Sequence, residues 1–240
     1  MAFFISKTNI TLIGKIIQKG NTVSSHEEAL DIIRETKNKK IIVSFVNMYA
    51  IQLALKDEKF RNAILNSNFI FFDGIALKVL CLLLKLPYGF NMNGTDFIPF
   101  LIEAYKEKSF AVYASNQEAL NLFINKYRHL NLLSTKNGFF NAEVYVHDAS
   151  EVQPEIIVLG MGMPKQELIA EKIKSQSIII NGGAIIDYLS EYKVRANQIL
   201  INLKLEWLYR IFYEPKRLFY RYFEGGVLLF RIFLTNVFKR

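Results

Sequence analysis

One cysteine, three histidines and five prolines in 240 residues each remove a class of protein. Cys81 stands alone in a leucine-rich run, so a disulfide framework is excluded, a reducing compartment fits, and the thiol reads as buried and inert. His26, His129 and His147 lack metal-ligand spacing and no cysteine cluster exists, which argues against a zinc site. No Asp-x-Asp pair is present to hold a divalent cation on a diphosphate, and neither a metal nor an organic cofactor is expected. The chain has no Gly-x-x-x-x-Gly-Lys-Ser/Thr loop and no Gly-x-Ser-x-Gly elbow, and Gly160-Met-Gly162 lacks the third glycine of a dinucleotide fingerprint. No run approaches the roughly 18–20 apolar residues of a membrane-spanning helix. The nearest, Val79 to Leu86, is interrupted by Lys85 and stopped by Pro87. Met1 to Ile5 is apolar but lacks a basic lead and a cleavage site, so no signal peptide is expected and a cytoplasmic location is.

What is abundant is apolar and aromatic: 51% hydrophobic residues, with 20 Phe and 12 Tyr. The net charge of +8 is uneven, because ten basic residues face three acidic ones from Lys193 onward. Basic charge on an apolar background suggests an anionic membrane surface or a phosphate-bearing partner. Nucleic acid is the competing partner, but interspersed Phe and Leu with few Gly or Ser favour lipid over it. The expected division is a domain over residues 1–193 and a helical appendage over 194–240.

Along the chain, Ser24-Ser-His-Glu27 reads as a capping box opening a helix to about Lys37. Strands are expected at 40–47, 68–72, 109–114, 131–135, 155–159 and 177–180. Helices are expected at 48–65, from 75 to Leu86, from Gly94 toward Lys106, at 116–129 and to Lys174, with 137–150 mostly loop and the first two dozen residues poorly patterned. Continuous apolar strands alternating with helices define an α/β fold: a Rossmann-like, mostly parallel sheet with helices on both faces. The basic amphipathic appendage follows it, broken at Pro215, with too many apolar groups for a solvated helix. Its apolar residues either pack on the first domain or lie in a membrane interface beneath snorkelling Arg and Lys.

In parallel sheets, ligands bind beyond the carboxyl ends of the strands. Asn47, Asp73, Ser115, Gly160 and Asn181 all fall there. Asp73-Gly74 follows a Phe-rich strand, and burial would raise its carboxyl pKa toward the range of a general base. Capping of the next helix is the plainer alternative. Asn93-Gly94-Thr95-Asp96 opens a helix and suits either capping or a sugar or phosphate group. Gly160 and Gly162 allow close backbone approach, Pro164 suits a first helical turn, and Lys165, Gln166 and Glu167 come to the helix mouth. Gly182 and Gly183, with Asp187, make a third glycine turn. A tight connection without a ligand explains each glycine turn as well.

Taken in order and spacing, Phe72-Asp-Gly74, Asn93-Gly-Thr-Asp-Phe97, Gly160-Met-Gly-Met-Pro-Lys-Gln-Glu167, Gly182-Gly183 with Asp187, Leu205-Glu-Trp-Leu-Tyr-Arg210 and Glu214-Pro-Lys-Arg217 resemble the WecG/TagA/CpsF glycosyltransferases over about Ile41 to Tyr222. The resemblance implies inverting, metal-independent transfer of a sugar, typically N-acetylmannosamine or a relative, from a UDP-sugar. The acceptor it implies is a sugar on undecaprenyl diphosphate at the cytoplasmic membrane face, in surface polysaccharide or teichoic acid synthesis. It also implies Asp73 as general base, and a donor pocket lined by Gln166 with its neighbours. Arg210, Lys216, Arg217 and Arg221 would then engage lipid diphosphate and membrane. Self-association is left open. Two positions depart from the family pattern: Asn91 where many members carry arginine, and Phe45 where many carry threonine. A non-catalytic Rossmann-like protein binding nucleic acid or membrane through its tail is the alternative.

Overall fold

The computed structural model describes residues 5–37, 40–203 and 205–238, with the side chains of Gln198, Asn202 and Arg217 outside the described set. The chain opens with α1 (Lys7–Lys19), where patterning led to no expected element. Its signals are local: Ser6 accepts the Asn9 N–H as N-cap, and Ile13, Ile16 and Ile17 bury one face. In α2 (His26–Arg34) the capping box is displaced by one residue from expectation. Ser25 caps Glu28 N–H, and Glu28 reaches back to the Ser24 N–H at 2.7 Å.

The sheet follows. Strand β1 (Ile41–Val46) is wholly buried and leads to α3 (Met48–Lys56) and α4 (Glu58–Leu65). One helix was expected over 48–65, but Asp57 adopts an extended conformation and caps Phe60 N–H, so two form. Next come β2 (Phe69–Phe72), α5 (Ile75–Leu84), α6 (Gly94–Ala104), β3 (Ser109–Ala114), α7 (Gln117–Lys126) and β4 (Asn131–Lys136). The expected loop at 137–150 is instead largely α8 (Ala142–Val152). Its inward residues include Asp148, which accepts from Tyr113 Oη at 2.6 Å and pairs with Lys136 at 2.8 Å, so a carboxylate masks the apolar period. The core ends with β5 (Ile156–Gly160), α9 (Lys165–Lys172), β6 (Ile178–Asn181) and α10 (Ile185–Leu189).

Among the described residues, six strands pair in parallel in the order β2-β1-β6-β5-β3-β4. Strand residues alternate between faces, as the two-residue period requires. Val43, Phe45, Phe71, Val112 and Val158 pack with Phe97, Leu101, Leu120 and Phe123 on one side. Val46, Ile70 and Phe72 pack with Ile13, Ile51, Phe60 and Leu80 on the other, where Tyr113, Ile157 and Ile179 meet Tyr145 and Ile169. From the adjacent strands β3 and β5 the chain leaves in opposite directions, to β4 and to β6, which opens a crevice beyond their carboxyl ends.

Beyond α10 lie α11 (Gln198–Asn202), α12 (Glu206–Tyr213) and α13 (Pro215–Phe238). Of the two expected fates of the appendage, packing on the first domain is seen for one face of its last helix. α13 packs on α3 and α5 and buries Leu218 and Ile232, while Phe219, Phe223, Phe230 and Phe233 remain exposed. Among the described residues no helix is long and apolar enough to cross a membrane.

Candidate active site

Strand β2 delivers Asp73, whose backbone N–H donates to Val46 O at 2.9 Å. Gly74 then takes φ +95°, a left-handed conformation suited to glycine, and occupies the N-cap position of α5. No side chain caps that helix, so Asp73 is free of the capping duty that was its plainer alternative. Asn91 fixes the turn instead: its Oδ1 accepts from Gly74 N at 2.7 Å and from the Tyr88 hydroxyl at 2.6 Å. The Asn91 departure thus places a turn-locking amide beside Asp73. The other departure, Phe45, packs its ring against Phe71 and Phe97, with Gly94 alongside.

Burial pushes the Asp73 carboxyl up to about 6. Arg210 opposes that rise, Glu206 and Asp96 add to it, and Arg195 opposes it. These groups form a connected ladder. Arg195 grips Asp96 bidentately at 2.6 and 3.2 Å and reaches Glu206 at 3.5 Å; Glu206 pairs in turn with Arg210. Arg210 also lies over the Tyr188 ring at 5.4 Å. Burial, with the Asp73 charge nearby, holds the Tyr88 hydroxyl well above its ordinary pKa, and burial raises Tyr222 as well. Arg195, Tyr88 and Tyr222 were not singled out from sequence. Glu206 stands four residues before Arg210 in the Leu205-to-Arg210 block, a spacing legible in the sequence, so only its contact with Arg195 was hidden.

The glycine turns form a second group. Gly162 takes φ +81° and Gly183 φ +60°, and the Met163–Pro164 peptide is cis. Gln166, 1% exposed, ties the turns together: its Oε1 accepts from Gly162 N at 3.1 Å and Gly183 N at 3.0 Å. Its Nε2 donates to Glu167 Oε1 at 2.8 Å. Glu167 is 2% exposed with Oε2 unpartnered, and burial lifts its carboxyl to about 7. Both side chains therefore point into the protein and shape the loops from behind. Gly160 is closely packed, since a Cβ there would stand 2.6 Å from Ala114 Cβ; one at Gly182 would meet Ile185 Cγ2 at 2.6 Å. Lys165 donates to Gly138 O at 2.9 Å and Phe140 O at 2.7 Å, fastening the β4–α8 connection to this edge.

Asn47 caps Ala50 N–H, and Asn93 accepts from Thr95 N–H at 2.9 Å. At the crevice, Ser115 takes φ +55° and its hydroxyl donates to Asp187. Lys193 bridges Asp187 at 3.0 Å and Glu214 at 3.1 Å. Lys216 is exposed, and Arg221 stacks its guanidinium over Tyr49 at 3.7 Å. The Arg217 side chain lies outside the described residues. Among the described residues no group of three or more His, Cys, Asp or Glu is placed to hold a metal ion.

Gln166 offers a direct test of how the turns are held. Gln166→Ala removes one acceptor from two loop N–H groups, both only partly shielded from water. A loss of about 1–2 kcal/mol in stability is expected, measured as a lower urea midpoint at unchanged m-value.

A parallel doubly wound sheet carries an acidic group and glycine turns at its carboxyl edge, with two arginines from the appendage joined to that charge cluster, in the class of α/β folds that bind ligands there. The chain belongs to the glycosyl transferase WecG/TagA/CpsF family, whose model matches residues 15–240. It is 24% identical over 186 residues to the N-acetylglucosaminyldiphosphoundecaprenol N-acetyl-β-D-mannosaminyltransferase of Bacillus subtilis strain 168, covering 73% of each chain. The enzyme of the same name from Bacillus spizizenii is 24% identical over 183 residues, or 68% of each. Among solved structures, one described as the highly conserved domain of unknown function 1792, with a distinct glycosyltransferase fold, aligns with a TM-score of 0.49. Its sequence is 11% identical over 77% of this chain and 85% of that one.

Proposed function

We propose that this protein is an inverting, metal-independent glycosyltransferase. It moves an N-acetylmannosamine-like or other hexose from a UDP-sugar to a sugar on a polyprenyl diphosphate, in bacterial surface polysaccharide or teichoic acid synthesis. The observation that carries this reading is Asp73: a carboxyl with raised proton affinity at a sheet edge, facing Arg210 from the appendage, in a glycosyltransferase family. The two named relatives supply the acceptor class.

In this reading the nucleotide enters the β3/β5 crevice beside the glycine turns. Three strand spacings separate β5 from β2, roughly 14 Å at the usual distance between strands. An extended nucleotide diphosphate fits such a span and brings its sugar to Asp73. Asp73 takes the proton of the acceptor hydroxyl as that oxygen attacks the anomeric carbon from the face opposite the departing UDP, so the configuration inverts. Arg210 meets the diphosphate charge, because its planar fork binds phosphate oxygens in pairs. Residues 1–193 form the catalytic domain, and residues 194–240 an appendage that completes the site and docks on the inner membrane surface. With Asn91 and Phe45 replacing the family's arginine and threonine, the sugar or acceptor differs from the usual pair.

The test is UDP release across a UDP-sugar panel, with a short-chain polyprenyl-diphosphate N-acetylglucosamine acceptor. Release requiring both substrates is expected with at least one donor, and NMR of the product should show inverted configuration. Absence of acceptor-dependent release across UDP-hexoses and UDP-N-acetylhexosamines, with this acceptor and with other short-chain polyprenyl-diphosphate monosaccharides, would overturn the reading.

A further inference from the structure

We propose that Arg195 is the positioning residue of this site: it locks the start of the appendage onto α6 and neutralises Asp96 and Glu206, holding Arg210 beside Asp73. The proposal rests on the reading of Asp73 as the base.

Arg195 stands between α10 and α11, in a stretch with no regular structure. From there its fork spans two separate parts of the fold. Nη1 and Nη2 each donate to one oxygen of Asp96, in the first turn of α6. Nη2 also lies 3.5 Å from Glu206 Oε2, in the first turn of α12, while Glu206 Oε1 engages Arg210 one helical turn later. Charges therefore alternate as Asp96, Arg195, Glu206 and Arg210, from the core to the appendage. A lysine, with one point charge, lacks the fork that fits both carboxylates at once. Lys193 fastens the opposite end of α12, since Glu214 is that helix's C-cap and Lys193 joins it to Asp187. The helix carrying Arg210 is thus pinned at both ends, and Arg195 holds the end that carries Glu206.

Among the described residues, the charged and titratable groups around Asp73 are Asp96 of α6, Arg195, Glu206 and Arg210 of α12, Tyr88 before α6, and Tyr222 of α13. With Asp73 ionised, three carboxylates face two guanidiniums. Loss of Arg195 leaves one guanidinium for three carboxylates, and Asp96, stripped of its partner, then disfavours the Asp73 anion.

The experiment uses the full chain labelled with [13C]aspartate, and follows the Asp73 carboxyl by NMR through a pH titration, its signal assigned with Asp73→Asn. Arg195→Met should move the Asp73 midpoint upward by about one pH unit and lower kcat/KM about tenfold or more at pH 7. Arg195→Lys should recover part of both losses. Asp96→Asn alone should move the midpoint down, and Asp96→Asn combined with Arg195→Met should return it toward the parent value. A folded Arg195→Met protein with an unmoved Asp73 midpoint overturns the proposal. If that variant fails to fold, an unmoved midpoint in Asp96→Asn overturns it instead. The titration needs no substrate. A shifted midpoint with no activity on any donor would therefore count against the UDP-sugar reading and leave the ladder standing.

Discussion

Asp73→Asn lowers kcat by about 10²–10⁴-fold, the range supplied by a positioned general base, while UDP-sugar affinity stays within a few-fold of the parent. The separation follows from the geometry, because Asp73 lies at the end of β2 and the glycine turns after β6 and β5 lie two and three strands away. Steady-state turnover and equilibrium titration with UDP-sugar measure the two quantities independently. In the parent protein only the ionised carboxylate can accept the proton. With a midpoint of about 6, kcat/KM should fall as pH drops through that value. Near-parental turnover in Asp73→Asn would remove Asp73 from the chemistry.

The same substitution has a stability signature of opposite sign. The carboxyl titrates from the ordinary 3.8 when unfolded and about 6 when folded, so between those values the folded chain binds more protons. Its stabilising contribution is complete below about 4 and lost as pH rises through 6. At pH 8 the ionised carboxylate is a net burden on the fold, so Asp73→Asn should be more stable than the parent by on the order of 1–2 kcal/mol. A variant that is both inactive and harder to melt marks a residue kept for function.

The strands and the carboxyl-edge positions were readable because parallel-sheet strands are continuous apolar runs that end in polar or glycine residues; Ser109 to Ala114 has the same bounds in the sequence reading and the structure. Elements that failed did so for local reasons. α8 turns a buried Asp148 inward, and that carboxylate is tolerated only because Tyr113 and Lys136, distant in sequence, meet it. α1 carries lysines and polar residues between its isoleucines and declares itself chiefly through Ser6 and the Ile13, Ile16, Ile17 face. Within the site, residues opening an element were legible as types, but their partners were not. Nothing local to Arg195 indicates that it meets Asp96, 99 positions earlier. Nor does the Gln166 sequence context show that its amide oxygen serves two glycine turns from the inside.

Replacing Phe219, Phe223 and Phe230 together by serine should remove retention on anionic vesicles while leaving the fold intact. These rings are 57%, 61% and 59% exposed. Spacings of four and seven residues place them on one stripe of α13, opposite the buried Ile232. Phe219 and Phe223 already stack, at 6.2 Å and 11°, so the stripe is preformed. Full burial of a Phe is worth about 1.5–3 kcal/mol. Half-immersion of three rings still supplies about 2–4 kcal/mol, so flotation on phosphatidylglycerol vesicles should fall at least about thirtyfold. Basic side chains add about 1 kcal/mol each near such a surface, which makes that part salt-sensitive and the aromatic part much less so. Deleting residues 194–240 is the blunter experiment. It also strips Leu218 and Ile232 from the core and removes the Thr235 hydroxyl that accepts from Ile5 N–H, so loss of binding could not be separated from loss of fold. The three exposed rings have no such role, and their removal should leave the thermal midpoint nearly unchanged. Vesicle retention surviving the triple substitution would mean that the stripe does not face lipid and that the docking assignment of the appendage is wrong.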